Sequence, residues 1–231
     1  RVVTLAYVDG RYVRPIALRD CDDIEISGCD ISGFSCAANL IHVDDCAGGR
    51  ISGNHTHDCS TNHSALAQIT GIGTDMDSGQ SGASGRGTSN IVIAGNRIED
   101  LTVGATFLGL FGHQTDGING GFQSNGLIIS GNRISNCGEG IDVHSLDCAI
   151  IGNVISGCYN YGLKFLHGAS RNVATGNCVK DSGFGGILLA GTSTRNRDTV
   201  DNLIANNTVS GVNTLHDHDA NSTFGISIRA G

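Results

Sequence analysis

The sequence predicts an all-β solenoid: a parallel β-helix of about seven coils with inserted loops. Three observations carry this. A short phrase returns along the chain, made of an apolar run, then Gly-Asn, another apolar residue and a polar stop. Repeats of roughly 20 to 40 residues, each too small to bury its own apolar face, must stack on one another. Glycine makes up 35 of 231 residues and proline only 1, which supplies left-handed corners without steric cost. Aromatic residues are 5% of the chain and tryptophan is absent. That leaves a core of Ile, Val, Leu and Ala, as stacked strands prefer.

The phrase begins as IEISGCDISG at Ile24–Gly33, then RISGNHTHDC at Arg50–Cys59, IVIAGNRIED at Ile91–Asp100 and LIISGNRISNC at Leu127–Cys137. It continues as IIGNVISGC at Ile150–Cys158, VATGNCVKDSG at Val173–Gly183 and LIANNTVSG at Leu203–Gly211. Its asparagines, Asn54, Asn96, Asn132, Asn153, Asn177 and Asn207, serve as a ruler, with Cys29 in the same place in the first copy. The spacings are 25, 42, 36, 21, 24 and 30 residues. The short ones are a bare coil of three strands and three turns. The long ones carry insertions, expected at Asp75–Asn90, Gly112–Gly126 and His216–Thr223. Stacked asparagines at a corner are expected to bond each other's backbones in a ladder.

Each phrase is followed by a second strand: LIHVD, ALAQITG, TFLGLFG, GIDVHS, GLKFLHG, GILLAG and GISIRAG. Side chains alternate across a strand. With Ile141 and Val143 inward, Asp142 and His144 point outward. Lys164, His42, Asp44, Gln68, Ser227 and Arg229 follow by the same rule. The sheet is thus expected to carry an outward column of polar and ionisable groups, about 4.8 Å apart per coil.

The whole of 1–231 reads as one domain. Solenoid ends need caps, and none is evident at Arg1 or at the final ISIRAG, so further protein on at least one side is expected. The net charge of −8 and the lack of a basic stripe argue against nucleic acid as a partner. No membrane span or leader is visible. Of nine cysteines, six occupy repeat positions. Cys21, Cys46 and Cys148 are expected in one column of small buried side chains, and Cys59, Cys137 and Cys158 in another. Disulfides and metal ligation are the alternatives, without any CxxC to favour zinc.

Asp142, His144 and Lys164 form the sharpest cluster, since the register sets Lys164 beside Asp142 one coil on. A carboxylate, an imidazole and an ammonium within reach of one another shift each other's pKa. Removing the C5 proton of a uronate needs a base and a cation to neutralise the sugar carboxylate. His144 is the expected base, oriented by Asp142, with Lys164 or Arg229 as the cation and His167 as a rival base. Arg171 adds to a basic patch around Lys164 and Arg229. Glycosidic hydrolysis needs two carboxylates roughly 5 to 10 Å apart, for which Asp44, Asp116 and Asp142 are candidates, Asp116 being placed in an inserted loop. The plain alternative is a solvated sheet face. His42, Asp44, Gln68, His113, Asp116 and Arg229 are the expected substrate contacts. No cofactor is implied: Asp75 and Asp77 look like the start of a calcium loop, but no acidic residue sits twelve along. His55, His57, His63 and Asp58 look like a metal nest but read as a polar turn, and HDHD at His216–Asp219 as a solvated loop.

The repeats, from Arg14 to Gly231, resemble the right-handed parallel β-helix proteins of the pectate-lyase-like superfamily. RPIALRDCDDIEISGCDISG at Arg14–Gly33 looks like the strand entry of polygalacturonase-like glycoside hydrolases. Their Asn-Thr-Asp and Gly-His-Gly motifs appear here only as Gln114–Asp116 and Leu166–Gly168, and the Asp44–Asp45 pair comes early. GIDVHS at Gly140–Ser145 looks like the Gly-Phe-Asp-Pro-His motif of alginate C5-epimerases. That similarity implies catalytic roles for Asp142 and His144, with Glu139 in place of the family's Tyr and Val143 in place of its Pro. The resemblance implies a polysaccharide or oligosaccharide partner and an extracellular, periplasmic or virion-associated setting. β-Helices also form phage tailspike shafts, and that class implies a homotrimer that binds or cleaves glycans.

Overall fold

The structure is a computed structural model that describes residues 14–35, 39–61, 68–75, 85–103, 115–191, 198–212 and 223–229. Among these, 22 strands form three parallel sheets, each coil giving one strand to each sheet. The first sheet contains β1 (Ile16–Arg19), β4 (Asn39–Asp44), β7 (Ile69–Thr74), β10 (Thr115–Gly120), β13 (Glu139–Val143), β16 (Tyr161–Phe165), β19 (Gly185–Ala190) and β22 (Phe224–Arg229). The second contains β2 (Asp22–Ser27), β5 (Ala47–Ser52), β8 (Ser89–Ala94), β11 (Ile128–Ser130), β14 (Ala149–Ile151), β17 (Val173–Thr175) and β20 (Leu203–Ala205). The third contains β3 (Asp30–Ser32), β6 (His55–Thr61), β9 (Arg97–Val103), β12 (Arg133–Ser135), β15 (Val154–Ser156), β18 (Cys178–Lys180) and β21 (Thr208–Ser210). Seven coils thus stack as a β-helix, with an eighth strand closing the first sheet. Among the described residues no helix is long and apolar enough to cross a membrane.

The expected asparagine ladder is present. The backbone N–H and side-chain amide of Asn132 both donate to Asn153 Oδ1, at 3.0 and 2.9 Å, and Asn153 does the same to Asn177. Each amide also donates to a carbonyl of the coil behind, as Asn153 Nδ2 does to Ile129 O at 2.9 Å. Asn54, Asn96, Asn177 and Asn207 continue the pattern. The glycine before each asparagine holds a left-handed corner, as at Gly131 (φ 61°), and Asn206 (φ 55°) takes that place in the last copy. Asparagine is among the few residues that tolerate it. A second ladder, not expected from the sequence, joins Asn172 to Asn202 and accepts the backbone N–H of Cys148.

The core is a stack of like on like. Ile41, Ile72, Ile118, Ile141, Leu163 and Ile187 pair in register and are fully buried. Cys59, Leu101, Cys137 and Cys158 share one buried column, so that cysteine ladder forms with Leu101 interposed. The other expected cysteine column divides. Cys21 and Cys46 are in register, but Cys148 aligns with Leu127 and Asn172. All eight described cysteines are free thiols.

Two strand assignments are corrected. The third coil contributes Thr115–Gly120 to the first sheet in place of the expected TFLGLFG, which lies wholly outside the described residues. Asp116 is therefore on a strand rather than in a loop. Ser89 and Asn90, placed in an insertion, begin β8. Of the predicted insertions, residues 216–222 and 76–84 lie outside the described residues.

A glycine column shapes the outer face of the first sheet. Gly71, Gly117, Gly140, Gly162 and Gly186 occupy one position and all face the core. A Cβ on Gly140 would lie 2.4 Å from Ile155 Cγ2 and 2.3 Å from the Gly162 carbonyl oxygen. With glycine and the next residue both turned inward, the residues on either side, three apart, both face outward. Gly140→Ala must push apart backbone and core and is expected to cost about 1–3 kcal/mol. Asn153→Ala strips partners from the Asn132 amides and the Ile129 carbonyl and is expected to cost on the order of 3 kcal/mol. Urea denaturation with unchanged slope checks both.

Candidate functional site

The strand geometry just described gathers a polar cluster on β10, β13 and β16. Asp116 pairs in register with Glu139, Asn119 with Asp142, and Asp142 with Lys164. The i, i+3 spacing set by the glycine column brings Asn119 Nδ2 to Asp116 Oδ2 at 2.9 Å. Gln68, just before β7, donates to the same oxygen. Lys164 Nζ lies 2.9 Å from Asp142 Oδ2 and forms an ion pair with Glu139 Oε2. His144 Nε2 approaches Asp142 Oδ1 at 3.0 Å, at ion-pair distance but off the line of a hydrogen bond. Next to it the His167 ring, on a left-handed residue (φ 53°), meets His144 edge to face at 5.0 Å, and Phe122 lies 4.6 Å from His144.

The cluster is not the open surface column that alternation implies. Asp116, Glu139, Asp142 and Lys164 are all buried, while His144 and His167 are partly exposed. Side chains that face outward on adjacent coils stand one strand apart and cover each other by pairing. Asp116 Oδ1 and Asn119 Oδ1 are buried acceptors with no hydrogen-bond partner among the described residues.

Three carboxylates share one ammonium; burial pushes all three upward, and the charges beside each decide how they differ. Burial pushes Glu139 from its ordinary 4.5 up to about 8, and the Asp142 and Asp116 charges add to that against the pull of Lys164. Asp116 is raised to about 6, by burial first and then by Asp142. For Asp142 burial also pushes upward, but His144 and Lys164 outweigh it and hold the carboxyl well below the usual range. Burial alone would lower Lys164; Asp142, Glu139 and Asp116 instead raise it, so its charge is secured. Asp142 and Lys164 are thus an ionised pair, and Glu139 is the most readily protonated of the three carboxyls. Oxygens of Asp116, Glu139 and Asp142 lie within 4.8 Å of one another, but the Lys164 ammonium already fills the cation's place between Glu139 and Asp142.

The remaining expected site residues are elsewhere. His42 is three strands from Asp142, buried, with Nδ1 2.8 Å from Asn39 Nδ2. Asp44 is buried beside Asp45 and Asp75 and pairs with Arg19 at 3.1 Å. Burial and the neighbouring Asp75 raise its pKa to about 6. Arg229 lies three strands away on the other side, over the Phe224 ring. Arg171 is committed to Asp147 by two 2.7 Å contacts, apart from Lys164. His113 lies outside the described residues. Glu139, Asn119 and Phe122 belong to the cluster and were not expected. The signal for the first two was in the chain: Asp116-Gly-Ile-Asn, Glu139-Gly-Ile-Asp and Tyr161-Gly-Leu-Lys repeat one frame.

The profile of the family described as "Right handed beta helix region" matches residues 16–209, and the chain belongs to that family. Among solved structures it is similar to the A-module of the mannuronan C-5 epimerase AlgE6 of Azotobacter vinelandii, with 15% identity and a TM-score of 0.34. That alignment covers 93% of this chain and 57% of the other, so the chain spans just over half of that structure. No curated protein gave a match.

The raised carboxyls make a pH prediction. A group that binds its proton more tightly when folded favours the folded state at low pH and loses that contribution as pH rises to its folded pKa. Asp116 and Glu139 therefore make stability fall as pH rises from about 4 to about 8. Glu139→Gln, which keeps the protonated shape, should flatten the part of the fall above pH 6. Urea midpoints of both proteins from pH 5 to 8 check this.

Proposed function

We propose that the chain is a carbohydrate-active enzyme that removes the C5 proton of a uronate in an acidic polysaccharide. The carrying observation is a partly exposed His144 held against a buried, ionised Asp142, whose charge Lys164 secures. The Asp142 carboxylate, 3.0 Å from Nε2, favours the proton on that nitrogen and leaves Nδ1 as the basic one. The imidazolium formed on proton transfer is stabilised by the Asp142 anion, as orienting carboxylates do. His167, edge-on at 5.0 Å, is the second proton carrier.

The step balances in two ways. His144 takes the C5 proton, and the electron pair either forms the C4–C5 double bond as O4 departs, or is reprotonated at C5 from the opposite face. The first is a lyase and the second an epimerase. Lys164 acts through Asp142 rather than on the sugar, because its ammonium is buried between two carboxylates. Neutralising the sugar carboxylate then falls to His167 in its protonated form, before it gives that proton up. The likeness of Gly140–Ser145 to the Gly-Phe-Asp-Pro-His motif supports the same assignment of Asp142 and His144.

A second reading rests on one observation. Asp116 is pushed up to about 6 and Asp142 down, with oxygens within 4.8 Å. Carboxyls whose environments push them apart are what acid and nucleophile require in a retaining glycosidase. Both are buried beneath the imidazoles, which favours the first reading.

The deciding experiment incubates the protein with a panel of uronate polysaccharides in D2O. Deuterium at C5 is followed by NMR, absorbance near 235 nm reports unsaturated products, and reducing ends are counted. Exchange that falls by about 10²–10⁴-fold in His144→Ala supports the proposal. New reducing ends without exchange or absorbance would move the assignment to the Asp116–Asp142 hydrolase. No exchange and no cleavage on any substrate would leave glycan binding without catalysis and overturn both.

A further inference from the structure

A second group of chemistry-bearing residues sits on the outer face of the third sheet and takes no part in the proposed reaction. His55 and His57 lie two apart on β6, both facing outward around the buried Thr56. They are on a strand, not in the polar turn the sequence suggests. Their rings stack at 4.0 Å with 22° between planes. Asp30, on β3, is in register with His55 and places Oδ1 2.9 Å from His57 Nε2.

Each imidazole is tied on its other side to a carboxylate. His57 Nδ1 is 2.7 Å from Asp58 Oδ2. His55 Nε2 is 2.9 Å from Glu99 Oε1, which Arg97 holds at the same distance. A neutral imidazole has a single N–H and can donate to only one carboxylate, yet His57 faces one at each nitrogen. Two protons on His57 would satisfy both. So would one proton toward Asp58 and a metal bound by Nε2, the arrangement in which metal-binding histidines are held by a carboxylate behind them. Two stacked rings also carry less mutual repulsion as neutral ligands than as two cations.

We propose that Asp30, His55 and His57 bind a divalent first-row transition metal, of which Zn2+ is the representative. One ligand atom from each residue lies within 4.8 Å of the other two. Zinc bonds of about 2.0–2.2 Å to nitrogen and oxygen are met by small rotations of these side chains, and imidazole with carboxylate suits zinc, cobalt or nickel better than calcium. Asp58 and Glu99 hold the rings from behind, and solvent completes the coordination. Because Asp30 comes from one coil and the histidines from the next, the metal clips two coils together.

The test titrates the metal-stripped full chain with Co2+ and reads the visible ligand-field band, with Zn2+ competing it away. The proposal expects one equivalent of cobalt and a thermal midpoint that rises with Zn2+. His57→Ala should abolish the band, and Asp58→Asn should weaken binding about 10–100-fold. Asp30→Asn alters a half-exposed side chain, so it separates loss of a ligand from loss of fold, and it too should remove tight binding. His144→Ala should leave the band intact. A band that survives in both His57→Ala and Asp30→Asn, a strong near-ultraviolet thiolate band in place of the visible one, or no cobalt binding by the unaltered chain would each overturn the proposal.

Discussion

The asparagine corner fixes how every coil lies on the next. Each Asn oxygen accepts two N–H groups from the coil before it, and each amide returns a hydrogen bond to a carbonyl of that coil. A slip of one residue along any strand would break these bonds and turn the core face outward. Register held this tightly is what allows like to stand on like: isoleucine on isoleucine in the core and, outside it, Asp142 beside Lys164. The polar cluster is thus a consequence of the corner. Its members are far apart in sequence, and only the fixed strand spacing brings them into contact.

The glycine column adds what simple alternation cannot. A strand that alternates strictly would present Asp142 and Gly140 on one face and bury Glu139 with Ile141. Because Gly140 fits against Ile155 and the neighbouring backbone, Glu139 is turned out beside Asp142 and both reach Lys164. The same bend sets Asn119 against Asp116 and, with buried Leu40 in the glycine's place, Asn39 against His42. At Gly140 a side chain would meet Ile155 and the Gly162 carbonyl oxygen beside the cluster, which couples the fold's stability to the site's geometry there.

How much was legible follows from these two devices. The Gly-Asn phrase gave the coils, the ladder and most strands, because its residues are needed by local backbone geometry that a sequence displays directly. The third coil was misread because Thr106–Gly112 is the more apolar stretch, whereas β10 needs only Ile118 and Gly117 toward the core and is otherwise polar. Hydrophobicity ranks such a strand below its neighbour; the repeated Gly-Ile frame does not. Asp142, His144, Lys164 and His167 were visible from alternation and register. The burial of Asp142 and Lys164 was not, since it arises from pairing between coils. Cys148 left its expected column because it aligns with Asn172 at the end of the second ladder, a feature with only two asparagines and so no visible period.

Two histidine pairs on one scaffold show how surroundings assign different chemistry to the same side chain. His144 and His167 meet edge to face beside Phe122, above a carboxylate whose charge a buried lysine has already balanced. There the His144 imidazole is held against a single carboxylate and suited to exchanging a proton with something brought to it. His55 and His57 lie stacked among Asp30, Asp58 and Glu99, with more carboxylates than N–H groups to satisfy them. There the imidazoles are oriented from behind and short of positive charge, which is the condition a metal ion relieves. The first pair stands just past the ends of β13 and β16, the second on β6, where left-handed Asp58 (φ 50°) breaks the alternation and turns outward beside His57. The difference between them originates in which outward positions each strand is able to offer.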